Sequence, residues 1–164
     1  MLALVACLVG RAVAPASAAV GSSASNANVF MPVGVWVVRN FLNVPAAPVV
    51  RYCTAVGSAD VQIPAGIAAM ETYLFTLTLD DPTPPLNLGQ ERTVQFVPGG
   101  PAVKEVTTTQ GFTLAPNVGH TIFWLGQPPP GSLPTVALDG SLTVVCDPAS
   151  LGIRNNNPEP LIDQ

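Results

Sequence analysis

Apolar and polar residues alternate with a period of two through much of this chain. Between Glu71 and Leu79, Tyr73, Phe75, Leu77 and Leu79 fall on one face, with Thr72, Thr76 and Thr78 on the other. A period of two sends every second side chain to the same side of an extended backbone, so this stretch predicts an antiparallel strand with one buried face. Arg92 to Val97 repeats the pattern with Val94 and Phe96 inward, and a further strand, Val103 to Thr109, follows the turn Pro98-Gly99-Gly100-Pro101. From Phe112 to Leu125, F-T-L-A-P-N-V-G-H-T-I-F-W-L reads as a hairpin, two β-rich runs around Pro116, Asn117 and Gly119. Phe123 and Trp124 point to opposite faces of the second run, which predicts a sheet covered on both sides. A second hairpin is expected where Asp139-Gly140 joins Thr135 to Leu138 with Ser141 to Cys146, placing Leu142, Val144 and Cys146 on one face.

Earlier in the chain, Val29 to Val38 is apolar on both faces but holds Pro32 and Gly34, which predicts an edge or terminal strand. An apolar strand of that kind can also pair with a neighbouring molecule. Asn43 to Pro48 interrupts the pattern, Val49 to Cys53 forms the next short strand, and Val61 to Ile63 runs into a turn at Pro64-Ala65-Gly66. The proline-rich stretches Asp80 to Gly89 and Gln127 to Pro134 read as loops. The sum, roughly nine or ten short strands with no convincing helix, predicts an all-β antiparallel β-sandwich of the jelly-roll kind.

The two ends read differently. Residues 1–18 have an apolar core, Arg11, and small residues ending Ala16-Ser17-Ala18, the form of an export signal cut after Ala18. The positive n-region is missing, which leaves open a start upstream of Met1. Leu4-Val5-Ala6-Cys7 resembles a lipobox, which offers lipid anchoring through Cys7 as the minority reading. Arg11 and Pro15 cut the apolar run short of a membrane span. Residues 19–28 are expected as a flexible lead-in, residues 29–148 as a single domain, and residues 149–164 as a flexible tail. Secretion, to the periplasm or the cell surface, is the compartment this organisation implies.

Composition narrows the partners. Charged residues make up 10% and hydrophobic residues 48%, the reverse of a disordered chain. With Lys104 as the single lysine and a net charge of -4, no basic surface is available for a nucleic-acid backbone. In an exported chain, the two cysteines outside the signal form one bridge, Cys53 to Cys146, so the strands that hold them must be neighbours, the first core strand beside the last.

The chemical inventory is thin. His120 is the sole histidine, no G-x-S-x-G elbow surrounds any serine, and a local hydrogen-bonding role at a strand end fits His120 better than catalysis. One histidine and a bridged cysteine pair provide no zinc site. Asp80 and Asp81, with Asn87 and Glu91 nearby in sequence, offer hard oxygens to calcium, although adjacent loop carboxylates are more often solvated. No catalytic, cofactor-binding or metal-binding residue is therefore assigned. Trp36, Trp124, His120, Asp80 and Asp81 are the candidate ligand contacts, the tryptophans as sugar-stacking platforms if exposed in a row with Tyr52 or Tyr73.

Three stretches together resemble a known class. They are Q-I-P-A-G-I-A-A-M-E-T-Y-L-F-T-L-T-L from Gln62, the turn and G-H-T-I core within Gly111 to Leu125, and T-V-A-L-D-G-S-L-T-V-V from Thr135. Their order is similar to that of the C1q and tumour-necrosis-factor-like jelly-roll modules of bacterial and phage surface proteins, over about Val49 to Asp147. That resemblance implies a jelly roll with adjacent first and last strands, often trimeric, that binds or builds rather than catalyses. The functional expectation is an exported, non-enzymatic β-sandwich module that binds a glycan or protein or assembles with itself. The alternatives are a carbohydrate-binding module and a pilus-like subunit that donates Val29 to Val38 to its neighbour.

Overall fold

The alternation is written into strands wherever it carries large side chains, and into strands elsewhere by pairing alone. The computed structural model describes residues 19–25, 28–64, 66–83 and 91–148. The stretch read as an export signal, Cys7, the expected tail and part of the proline-rich stretch after Asp80 lie outside the described residues. Among the described residues nine strands are formed: β1 (Ala19–Ser25), β2 (Val29–Met31), β3 (Val37–Val44), β4 (Arg51–Gln62), β5 (Glu71–Leu79), β6 (Arg92–Phe96), β7 (Val103–Leu114), β8 (His120–Gln127) and β9 (Thr135–Pro148). They make two antiparallel sheets: one of five strands, ordered β1-β9-β4-β7 with β2 also on β9, and one of four, ordered β3-β8-β5-β6. Among these, β5 and β6 are the one consecutive pair that hydrogen-bonds directly. Every other connection after β2 carries the chain across to the opposite sheet.

The core lies between the inner faces. From β5 and β8 come Tyr73, Phe75, Leu77, Ile122 and Trp124, all buried. Facing them, β4 offers a row of small inward residues, Cys53, Ala55, Gly57 and Ala59, before Val61. The difference in size lets large rings fill the space between the sheets. Trp124 stacks on Phe75 with ring centroids 5.8 Å apart and 27° between planes. Its ring rests on Gly57, where a β-carbon would lie 2.5 Å from the indole carbons. Gly126 leaves space in the opposite direction, since a β-carbon there would lie 2.6 Å from the Met31 sulfur and 2.7 Å from Phe75.

The bridge joins Cys53 to Cys146, which are directly opposed across β4 and β9 on the inner face. Its separation of 93 residues corresponds, on the loop-closure account, to about 4 to 5 kcal/mol of stabilisation through restriction of the unfolded chain. The strands expected to be neighbours are neighbours over their whole shared length, with a single register irregularity between Ala59 and Asp60.

Several expectations are corrected. The run from Phe112 to Leu125 is not a hairpin, because β7 belongs to the five-stranded sheet and β8 to the other; the Pro116-Asn117 turn is an arch between layers, with Asn117 at φ 61° and its N–H bonded to Ala47 O. Asp139-Gly140 does not turn the chain either. It lies inside the continuous β9, where the register irregularity absorbs it and where a β-carbon on Gly140 would meet the Arg39 and Asn40 side chains. A glycine demanded by close packing here looks, in sequence, like a glycine demanded by a turn. Residues 19–25, expected as a lead-in, are strand β1, held by backbone pairing with β9 from Ala19–Cys146 to Ser25–Gly140. The folded domain accordingly begins before Val29.

The apolar run from Val29 to Val38 divides between the sheets. Its first part is β2 and its last two residues open β3, an edge strand of the other sheet, while Gly34 at φ 76° turns the chain between them. Both parts pair within their own chain, so the pilus-like reading, which required this stretch to be free, is withdrawn.

The contact between Gly57 and Trp124 yields a direct test. Gly57→Ala is expected to lower stability by about 2 to 3 kcal/mol, because the ring and the β4 backbone must separate. Gly111→Ala in the neighbouring strand, where the nearest atom would be 4.0 Å away, should change it by less than about 0.5 kcal/mol. Urea unfolding followed by circular dichroism measures both, and equal effects would refute the close-packing account.

Candidate functional site

β5 ends at Leu79, and the next residue, Asp80, turns out of the sheet at φ 59°. A left-handed conformation suits a short polar side chain that can bond locally. Here it aims the carboxylate at the start of β8. The Asp80 N–H donates to Thr121 O at 2.8 Å, the Thr121 N–H donates to Asp80 Oδ1 at 2.7 Å, and His120 Nδ1 lies 2.7 Å from Asp80 Oδ2. One carboxylate thus clasps two consecutive residues of β8. Thr121 Oγ1 continues the network to Asn43 Oδ1 on β3 at 2.9 Å.

The proton on His120 follows from the partner. A carboxylate only accepts, so the imidazole donates from Nδ1 and, when neutral, carries its lone pair on Nε2. Nε2 is buried with no hydrogen-bond partner, and the side chain as a whole is 10% exposed against 49% for Asp80. An acid orienting a histidine through Nδ1 is the first half of a hydrolytic relay. A hydroxyl or thiol at Nε2 would be the second half, and none is found there among the described residues. Asp80 and His120 line neither the apolar cleft at Phe30 nor the polar dent at Asp60. The bonds shown make a clasp between the end of β5 and the start of β8.

Two forces act on the Asp80 carboxyl. Its slight burial pushes it up, but the Thr121 N–H, the His120 hydrogen bond and the His120 charge together hold it below the usual carboxylate range. Asp81 does not join it. Its Oδ1 accepts from the Thr83 N–H at 2.8 Å, which closes a local turn, and its backbone carbonyl accepts from Thr78 Oγ1. The two carboxylates diverge, and no group of three or more histidine, cysteine or acidic side chains converges among the described residues.

Trp124 is placed against the sugar-stacking reading. Trp124 is fully buried, and so is Tyr73; the inward alternation that makes β5 and β8 strands puts both rings in the core. Trp36 is half-buried in the link before β3, while Tyr52 is 58% exposed on the outer face of the five-stranded sheet. No row of exposed aromatic rings including Trp124 or Tyr73 exists.

Exposed apolar side chains lie elsewhere than the sequence suggested. Both faces of the four-stranded sheet are covered at its centre, where the outward Leu125 and Thr76 are buried. Towards its β3 edge, however, Phe41 is 54% exposed beside Phe123, with ring centroids 6.3 Å apart. On the other sheet, Phe30, Gln62, Ile63, Pro64, Pro134 and Val136 line a cleft of about 360 Å³. A second, polar dent of about 390 Å³ adjoins it, lined by Ser58, Asp60, Glu105, Asp139 and Ser141 among others. Sequence reading missed both because their walls come from three strands far apart in the chain, and register alone brings them together.

The Asp80 clasp makes a pH prediction. A folded-state carboxyl held below its unfolded value adds stability that is present above the unfolded value and is lost as the pH falls through the folded one. Between neutral pH and about pH 4 the clasp should therefore hold, and below about pH 4 it should fade. Asp80→Asn keeps the left-handed turn but leaves one acceptor oxygen where the Thr121 N–H and His120 Nδ1 need two. It should cost about 1 kcal/mol at neutral pH, a figure reduced for the exposure of the pair, and the cost should vanish in acid. Urea midpoints measured against pH would contradict this if the two proteins ran parallel down to pH 3. Compared with known proteins, the chain matches no family model and no curated protein.

Proposed function

We propose that this chain is an exported β-sandwich module that binds a partner or assembles with itself at the cell envelope or surface, and that it is not an enzyme. The observation that carries the reading is the set of large apolar side chains left on the outer faces: Phe30 at 60%, Tyr52 at 58% and Phe41 at 54% exposure. Aromatic rings held outward on regular strands keep apolar area in water that a partner surface would cover. The inner faces need none of them, since the core is filled by Trp124, Tyr73, Phe75 and Phe96.

The strand order supports the finer reading of the fold. Reading β1 and β2 together as one broken first strand, the two sheets run first-last-third-sixth and second-seventh-fourth-fifth. That interleaving of two Greek keys is the order of a jelly roll, as the resemblance to C1q and tumour-necrosis-factor-like modules implies. The resemblance also implies a trimer.

Light scattering coupled to size exclusion tests the assembly arm. The mature chain is expected to elute as an oligomer, three chains if the resemblance extends to assembly, and Phe41→Ser or Tyr52→Ser is expected to shift it toward the monomer without unfolding it. A monomer at every concentration, with neither substitution changing its binding of a hydrophobic dye, would count against the proposal.

A further inference from the structure

The outer face of the five-stranded sheet is ordered in rows that cross the strands. Val103, Gln62, Val136 and Phe30 are register partners in sequence across β7, β4, β9 and β2 and form one row. The next outward row, two residues along each strand, holds Glu105, Asp60 and Leu138. Phe30 and Val103 are 60% and 40% exposed, and Phe30 borders the apolar cleft with Gln62, Pro64, Pro134 and Val136. Asp60 and Glu105 are directly opposed across β4 and β7, and like charges in that position repel.

Among the described residues, no side chain is paired with those two carboxylates. No lysine, arginine or histidine occupies an outward position of β4, β7 or β9. Lys104 is turned the other way, over the Phe96 ring with its Nζ donating to Gln95 O. Asp139, at the margin of the same dent, is the acidic group that attracts Arg39. A row that is apolar at Val103, Val136 and Phe30 and a row that holds the two carboxylates thus lie side by side, separated by two residues of strand, about 7 Å.

We propose that this face docks an extended segment of a partner protein in which an apolar side chain is followed two positions later by lysine or arginine. An extended segment laid along the strands repeats at the same spacing as the rows, so the apolar side chain enters the cleft beside Phe30 as the cation reaches Asp60 and Glu105. The cation relieves a repulsion that the isolated domain bears, and the apolar side chain covers the most exposed ring of the sheet. This inference rests on the reading of the chain as a binding module and names the chemistry of its partner.

The test uses isotope-labelled full-length chain and a short acetylated peptide, Ser-Leu-Ser-Lys-Ser-Leu-Ser-Lys-Ser, with its glutamate-for-lysine counterpart as control. The lysine peptide is expected to shift amide resonances of residues 60–62, 103–105 and 136–138 in a saturable manner. Asp60→Asn with Glu105→Gln should weaken that binding about tenfold, and Phe30→Ser should do the same from the apolar side. Both changes are on the surface, and the first is expected to leave the urea midpoint unchanged or raised, since it removes a like-charge pair. Equal shifts with both peptides, shifts centred on another face, or no shifts at all would overturn the site. Any of these would leave the assembly reading standing on its own test by light scattering.

Discussion

Trp124 lies against a strand that offers it no side chain. The indole needs a flat surface on the opposite sheet, and Gly57 supplies one by having nothing beyond its α-carbon. Much else follows from that contact. β4 must pass the ring at close range, so its inward residues on either side are small. Phe75 can then stack on the other side of the ring, and Met31 reaches the space left by Gly126. The register that places Gly57 under the ring also opposes Cys53 to Cys146 two inward positions away. The bridge therefore fastens a pairing that the core already requires, and its main effect is on the unfolded chain.

A core built this way leaves the outer faces with little structural duty. They carry threonine, serine and a few rings, with hardly any charge, and the polar groups that do appear are used locally. Asp80 fastens the start of β8, Asp81 closes its own turn, and Arg39 and Asn40 reach the β9 backbone at Leu138 and Gly140. Among the described residues, the rings of Phe30, Phe41 and Tyr52 and the carboxylates of Asp60 and Glu105 remain outward. Those are the groups that the proposed binding module would offer to another molecule.

How far the sequence could be read depended on the size of the alternating side chains. β5 was legible to the residue and β6 to within one, because Tyr73, Phe75, Leu77, Val94 and Phe96 mark the inner face strongly. β4 was seen only at its two ends, since Cys53, Ala55, Gly57 and Ala59 keep the period of two but add little hydrophobicity. β1 was hidden for the same reason, and its strand character comes from pairing with β9. The adjacency of β4 and β9 came from two cysteines. Both misread hairpins turned on glycine or asparagine: Asn117 bends an arch between layers, and Gly140 clears space for Arg39 and Asn40, purposes that leave the same local mark as a tight turn. At the site, His120 and Asp80 were each singled out, but their union across 40 residues depends on the β5 and β8 register, and the rows of the outer face depend on four registers at once.

The account stands on Trp124 being enclosed between the sheets. In a Trp36→Phe variant it is the single tryptophan, and acrylamide quenching of its fluorescence reports its access to solvent directly. Burial against Gly57 and Phe75 predicts blue-shifted emission and quenching many-fold slower than for free tryptophan, rising to the free value on unfolding in urea. Water-like emission with fast quenching in the folded protein would contradict it.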